Sequence, residues 1–225
     1  MADPDGPVVG LIHATPLSVR PIRLAMADEF PEARARNVLD DSLLSDLQAA
    51  GTLTDDLASR MRRLIEHLLA DGVAAVQLAC SGYAPLIDSM RAEVSTPVRK
   101  PDEAMYADLA ESGLQRVGII ATVEPALDLA ISQLEDQAAA RDVNLDIRGA
   151  CRPEAMKAAQ DGDDDTLRDV IVEAGKALQS EGAEILALAQ YSLSPVADAV
   201  AQATGLPVRT GPHAAVRYLR ELLSS

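Results

Sequence analysis

Asp71–Asp88 reads DGVAAVQLACSGYAPLID, and Glu181–Asp198 reads EGAEILALAQYSLSPVAD. An offset of 110 residues (190 less 80) superposes them without a gap. It pairs Gly72 with Gly182, Leu78 with Leu188, Ala79 with Ala189, Pro85 with Pro195 and Asp88 with Asp198. The register runs on to Pro97, Val98 and Arg99, which meet Pro207, Val208 and Arg209. Each copy is a short apolar run, a turn and a helical pattern. A run that is apolar throughout suits a strand buried on both faces of a parallel sheet. At the end of the run the copies part, with Cys80 in the first and Gln190 in the second.

Working outward, strands are expected at Val8–Ala14, Val73–Ala79, Val117–Thr122 and Ile185–Ala189, with weaker ones at Val98–Lys100 and Leu145–Ala150. Helical patterns lie between them at Leu53–Leu69, Glu124–Arg141, Asp165–Gln179 and Gly211–Leu223. The first is preceded and opened by Thr54, Asp55 and Asp56, residues that favour a helix start. Such alternation predicts an α/β protein. VVGLIHAT (Val8–Thr15) looks like RVGIIAT (Arg116–Thr122), so each half is expected to hold two strands whose carboxyl ends carry loops to a shared cleft. The reading is two pseudo-symmetric Rossmann-like lobes with parallel sheets and the site between them. The first lobe takes residues 1–112, completed by a C-terminal helix in 208–225, and the second takes 113–207.

The chain has 225 residues, 35 acidic against 20 basic, for a formal charge of −15. Nucleic acid demands a basic surface and aromatic stacking platforms, and this chain has one Phe, four Tyr and no Trp. Two cysteines make no disulfide framework. The MADPDGPVVG terminus has no leader pattern and no run reaches membrane-spanning length, so the expected compartment is the cytoplasm. There is no GxGxxG, no phosphate-loop motif and no zinc spacing, so no metal and no cofactor are expected.

The expected strand ends hold the candidates. Cys80 is followed by Ser81–Gly82 and a helix from about Pro85. A turn at a helix start binds anions and favours a thiolate, which makes Cys80 a nucleophile or base. The other reading is a small buried cysteine. Gln190, followed by Tyr191, exchanges hydrogen bonds but not protons. It is either a substrate-positioning group or a turn residue. His13 and Thr15 follow the first strand, with His13 a candidate acid or base or a satisfied turn histidine. Thr122 ends the third strand and either meets the same ligand or caps the next helix. Lys100 is an anion-favouring or a solvated lysine, His213 is read as a cap, and Cys151, off the repeat register, as structural.

VQLACSGYAP (Val76–Pro85) and ILALAQYSLSP (Ile185–Pro195), with VGLIHATP (Val9–Pro16) and RVGIIAT, resemble the aspartate/glutamate racemase superfamily. That superfamily includes aspartate, glutamate and hydantoin racemases, maleate isomerase and arylmalonate decarboxylase. The resemblance implies two α/β halves around a small carboxylate substrate, no cofactor and commonly a homodimer. It also implies two cysteines acting on opposite faces of one carbon. The first cysteine maps onto Cys80. The second maps onto Gln190, so this chain resembles a branch lacking it. Carboxylate-binding donors map onto Ser81, Gly82, Thr15 and Thr122. One thiol leaves three outcomes: protonation from one face, as in a decarboxylase or lyase; covalent attack with isomerisation; or racemisation with His13 as the second acid. A non-catalytic ligand-binding or regulatory protein is the reading from another class.

Overall fold

The computed structural model describes residues 6–224; the first five residues of the MADPDGPVVG terminus and Ser225 lie outside the described residues. In chain order the elements begin β1 (Val8–His13), α1 (Val19–Glu29), β2 (Arg34–Leu39), α2 (Leu43–Ala50), α3 (Asp55–Ala70), β3 (Ala75–Leu78), α4 (Ala84–Arg91), β4 (Val98–Arg99) and α5 (Glu103–Glu111). They continue β5 (Arg116–Ala121), α6 (Glu124–Ala139), β6 (Asp146–Cys151), α7 (Pro153–Asp161), α8 (Asp164–Ser180), β7 (Ile185–Leu188), α9 (Ala197–Thr204), β8 (Val208–Thr210) and α10 (Gly211–Leu223). Two four-stranded, fully parallel sheets result, ordered β2-β1-β3-β4 and β6-β5-β7-β8.

The chain forms two compact units, one up to Pro101 and again from Ala215, the other Asp102–Ala214. The crossings fall at 101/102 and 214/215, not at the 112/113 and 207/208 read from the sequence. The reason is packing. α5 lies along α6, with Met105, Tyr106 and Leu109 buried, so the helix that follows the first unit's fourth strand belongs to the second unit. Conversely α10 ends in the first unit, where Arg217 pairs with Glu29 and Arg220 with Glu32, each at 3.1 Å. There too Arg99 lies 4.3 Å from the Tyr218 ring centroid.

The sheets share their register. Val9 faces Ala75 across β1 and β3, and Val117 faces Ile185 across β5 and β7. Val76 faces Val98, as Leu186 faces Val208. The covering helices match as well. α3 buries Leu57, Met61, Ile65 and Leu68, and α8 buries Leu167, Ile171, Gly175 and Leu178, each 110 residues on. Spacings of three and four put each set on one helix face. Gly10 and Gly118 sit where these helices cross the sheet. A Cβ at Gly10 would lie 2.8 Å from a Leu68 methyl, and one at Gly118 would lie 2.7 Å from Leu186 and 3.1 Å from Leu178. Anchoring on these glycines sets His13 beside Ala121 and Ala14 beside Thr122. Thr15 and Thr122, matched in the sequence reading, are therefore not equivalent.

β2 carries no buried residue, and its run RARNVL gave no apolar signal in the sequence. It is an edge strand that pairs with β1, and its Val38 is partly buried against the core. Among the described residues no helix is long and apolar enough to cross a membrane.

Gly10→Val is expected to destabilise the protein by about 1–3 kcal/mol through overpacking against Leu68. In urea unfolding this appears as a lower midpoint with an unchanged slope. An unchanged midpoint would contradict the packing described.

Candidate functional site

Parallel strands deliver their carboxyl ends to one edge of a sheet. In the first unit that edge holds His13, Ala14, Asp40 and Cys80. Cys80 leaves β3 in an extended conformation and opens a 3-10 turn, Ser81–Tyr83, which runs into α4 with Pro85 in its first turn. The Tyr83 N–H donates to the Cys80 carbonyl at 3.4 Å. Tyr83 is fully buried, and its hydroxyl donates to the Leu43 carbonyl at 2.9 Å. Burial, and then the nearby Cys80, pushes the Tyr83 phenol up to about 12, so it stays a hydrogen donor. Cys80 is half-buried and packs on the core that contains Leu43 and Tyr83. Gly82 does not take a left-handed conformation. Its missing side chain instead admits Leu47 of α2, whose methyl occupies the place of a Cβ.

His13 is fully buried, with both ring nitrogens engaged. Nδ1 lies 2.7 Å from Ser18 Oγ, and Ser18 donates onward to the Thr15 carbonyl at 3.0 Å. The serine must therefore accept, and Nδ1 carries the hydrogen. Nε2 lies 3.0 Å from Asn37 Oδ1. That oxygen suits a protonated ring, and half a turn of the amide suits a neutral one. Burial holds the imidazole below its ordinary 6.5, opposed by the Asn37 contact. A histidine so engaged exchanges no proton with a ligand until one of these bonds breaks. In this geometry His13 braces the end of β1 against Ser18 and Asn37. Thr15 is half-buried, and its hydroxyl accepts the Leu17 N–H at 3.4 Å.

In the second unit Gln190 takes the same position after β7 and opens a 3-10 turn, Tyr191–Val196. Its Oε1 accepts the Thr122 N–H at 2.7 Å, tying the ends of β5 and β7. Thr122 is fully buried, and its Oγ1 has no hydrogen-bond partner, so it does not cap α6, which Val123 opens without a side-chain bond. Tyr191 is buried, with its ring against Gly211.

Other candidates are accounted for nearby. Lys100 pairs with Asp88 at 2.8 Å, which neutralises its charge. Thr210 Oγ1 lies 3.0 Å from His213 Nδ1. Cys151 ends β6, where burial and then the Glu124 carboxylate push its thiol up. Among the described residues no three His, Cys, Asp or Glu side chains gather as a metal site. Sequence reasoning missed Ser18, Asn37, Asp40 and Arg60. Only the spacing of Ser18 from His13 could have hinted at one of them.

Two expectations follow. Iodoacetamide, which needs thiolate, should modify Cys80 before Cys151 when digests are read by mass spectrometry; equal rates would count against a reactive Cys80. A histidine held below 6.5 in the fold contributes stability that is full above 6.5 and is lost as pH falls through its folded value. His13→Gln should flatten the fall of the urea midpoint below pH 6.5, and an unaltered profile would show that the ring does not titrate as described.

The sequence model of the Asp/Glu/hydantoin racemase family matches residues 7–219. Among curated protein sequences no match is found. The fold is shared with the aspartate racemase of Picrophilus torridus at 16% identity and a TM-score of 0.77, over 97% of this chain and 95% of that one. A glutamate racemase of Bacillus anthracis matches at 15% identity and a TM-score of 0.74, over 97% and 82%. An allantoin racemase of Klebsiella pneumoniae matches at 18% and 0.70, over 97% and 88%. These likenesses establish the fold, and the family match spans nearly the whole sequence: the chain belongs to the Asp/Glu/hydantoin racemase family of enzymes.

Proposed function

We propose that this family member is a cofactor-independent isomerase acting at the carbon next to a carboxylate of a small acid or amino acid, with Cys80 as its single exchanging thiol. The observation that carries this reading is the asymmetry at the two matched strand ends. One ends in a thiol. The other ends in an amide, Gln190, whose carbonyl is already engaged by the Thr122 N–H.

A thiolate at Cys80 takes the proton and becomes a thiol; the bonding pair moves into the carboxylate as an enediolate. Delivery of a proton from water to the opposite face of the carbon gives the inverted product, and the Cys80 thiol then gives its proton to the hydroxide left behind, which restores the thiolate. Charge on the enediolate oxygens needs preorganised donors, each typically worth about 3–4 kcal/mol of barrier. The proposed donors are the Thr15, Ser81 and Thr122 hydroxyls and the backbone N–H groups of the Ser81–Gly82 turn. The unpartnered, buried Thr122 Oγ1 supports its place among them. With an unsaturated acid the same thiolate adds to the alkene carbon, the resulting single bond rotates, and expulsion of the thiolate gives the isomer.

A second reading rests on the same asymmetry. Loss of carbon dioxide from a substituted malonate leaves an enediolate that needs one proton on one face, which a lone Cys80 thiol supplies. Water then returns the proton to the enzyme.

The test is a panel of aspartate, glutamate, allantoin, maleate and substituted malonates incubated in deuterium oxide and followed by NMR and circular dichroism. Deuterium at an inverted carbon or cis–trans conversion supports the isomerase, and release of carbon dioxide supports the lyase. Cys80→Ala should lower the rate by roughly 10²–10⁴-fold. Full activity in that variant would remove Cys80 from the chemistry.

A further inference from the structure

The two units invite an internal comparison, because their backbone frames agree at the strand ends. Ala79 N–H donates to the Ile12 carbonyl at 2.9 Å, and Ala189 N–H to Ile120 at 3.0 Å. Asp40 N–H donates to the His13 carbonyl at 3.1 Å, and Arg152 N–H to Ala121 at 2.8 Å. The side chains on these frames differ. In the first unit Arg60 of α3 grips the segment after β2: Nε lies 2.5 Å from Asp40 Oδ2, and Nη2 is 2.5 Å from both Asp40 Oδ1 and Ser42 Oγ. Nη1 lies 2.7 Å from Asp46 Oδ2. The gripped segment meets the Cys80 turn at two places and the end of β1 at a third. Leu43 takes the Tyr83 hydroxyl bond, Leu44 N–H donates to Ala14 at 3.2 Å, and Leu47 occupies the gap at Gly82.

None of this is repeated in the second unit. By strand and helix register Arg60 corresponds to Val170, Asp40 to Arg152, Ser42 to Glu154 and Tyr83 to Leu193. Arg152 spends its guanidinium on the carbonyl of its own neighbour, Cys151. The same backbone frame thus forms without the grip, so the fold does not require it. Among the described residues the grip exists in the unit that carries Cys80 and not in the one that carries Gln190.

We infer that Arg60 is a positioning residue for Cys80: its forked hold on Asp40, Ser42 and Asp46 presses residues 40–47 onto the Ser81–Tyr83 turn and fixes the thiol's place. This rests on Cys80 being the reacting group. Two carboxylates surround the one guanidinium, so the cluster carries no net positive charge toward the thiol. Its effect is geometric, and a planar fork matters where a point charge would not suffice.

The test reads thiol geometry without a substrate. Iodoacetamide labelling of Cys80 is measured against Cys151 in the same full-length protein, with thermal unfolding as a check on the fold. Arg60→Met and Asp40→Asn break the grip from opposite sides and should both raise the Cys80:Cys151 labelling ratio roughly threefold or more as the segment opens locally. Arg60→Lys keeps the charge but not the fork and should leave the ratio raised. On whichever panel substrate turns over, kcat should fall roughly 10- to 100-fold, as expected when a reacting group shifts by about an ångström. A wild-type ratio in both Arg60→Met and Asp40→Asn would overturn the inference, and so would full restoration by Arg60→Lys. Activity retained in Cys80→Ala would instead overturn the catalytic reading and leave the labelling result standing.

Discussion

Parallel pairing of β1 with β3, Ile12 opposite Leu78, is the constraint on which the first unit depends. Because both strands run the same way, their carboxyl ends emerge together, and residues far apart in sequence meet there. His13 and Cys80 come to one edge for this reason, and the parallel pairing of β2 with β1 brings Asp40 there too. The pairing is possible because both faces are dry. α3 covers one with Leu57, Met61, Ile65 and Leu68, and the close crossing at Gly10 lets that helix sit directly on the strands. The second unit repeats the solution with α8 and Gly118.

On these matched frames the polar groups are distributed unevenly. The first unit braces its strand ends through side chains: His13 with Ser18 and Asn37, Tyr83 with Leu43, and Arg60 with Asp40, Ser42 and Asp46. The second unit has Ala121, Ala126 and Gly149 where the first has His13, Ser18 and Asn37. There Gln190 ties the ends of β5 and β7 through the Thr122 N–H. Buried polar groups are costly unless satisfied, and satisfied ones fix geometry more sharply than apolar contacts do. On the proposed role of Cys80, the unit that carries it has use for that sharpness. A unit that ends in an amide can pack with alanine and glycine.

Much of the fold was legible in the sequence. The four strong apolar runs became β1, β3, β5 and β7, and the 110-residue offset reappeared as a shared strand register. Thr54 caps α3 as its position suggested, accepting the Leu57 N–H. The edge strands were harder to read. β2 is exposed along most of its length and carries arginines, so no hydrophobic period announces it, and the open edge of β1 calls it into place. The crossings between units also escaped, because α5 and α10 follow one sheet in the chain and pack with the other unit.

Among the candidate residues, identity and strand position were readable and roles were not. Local sequence placed Cys80 and Gln190 at equivalent turns, since apolar run, turn and helix are encoded within a dozen residues. It could not show that His13 is locked between Ser18 and Asn37, that Gly82 makes room for Leu47, or that Lys100 is neutralised by Asp88. Those facts join segments separated in the chain and arise only when helices settle on sheets. The sequence alone determined the alternation of buried strands and amphipathic helices and the place of the Cys80 thiol. Tertiary packing decided which polar groups brace that thiol's turn, because hydrogen-bond geometry between distant segments exists only once the backbone has closed around them.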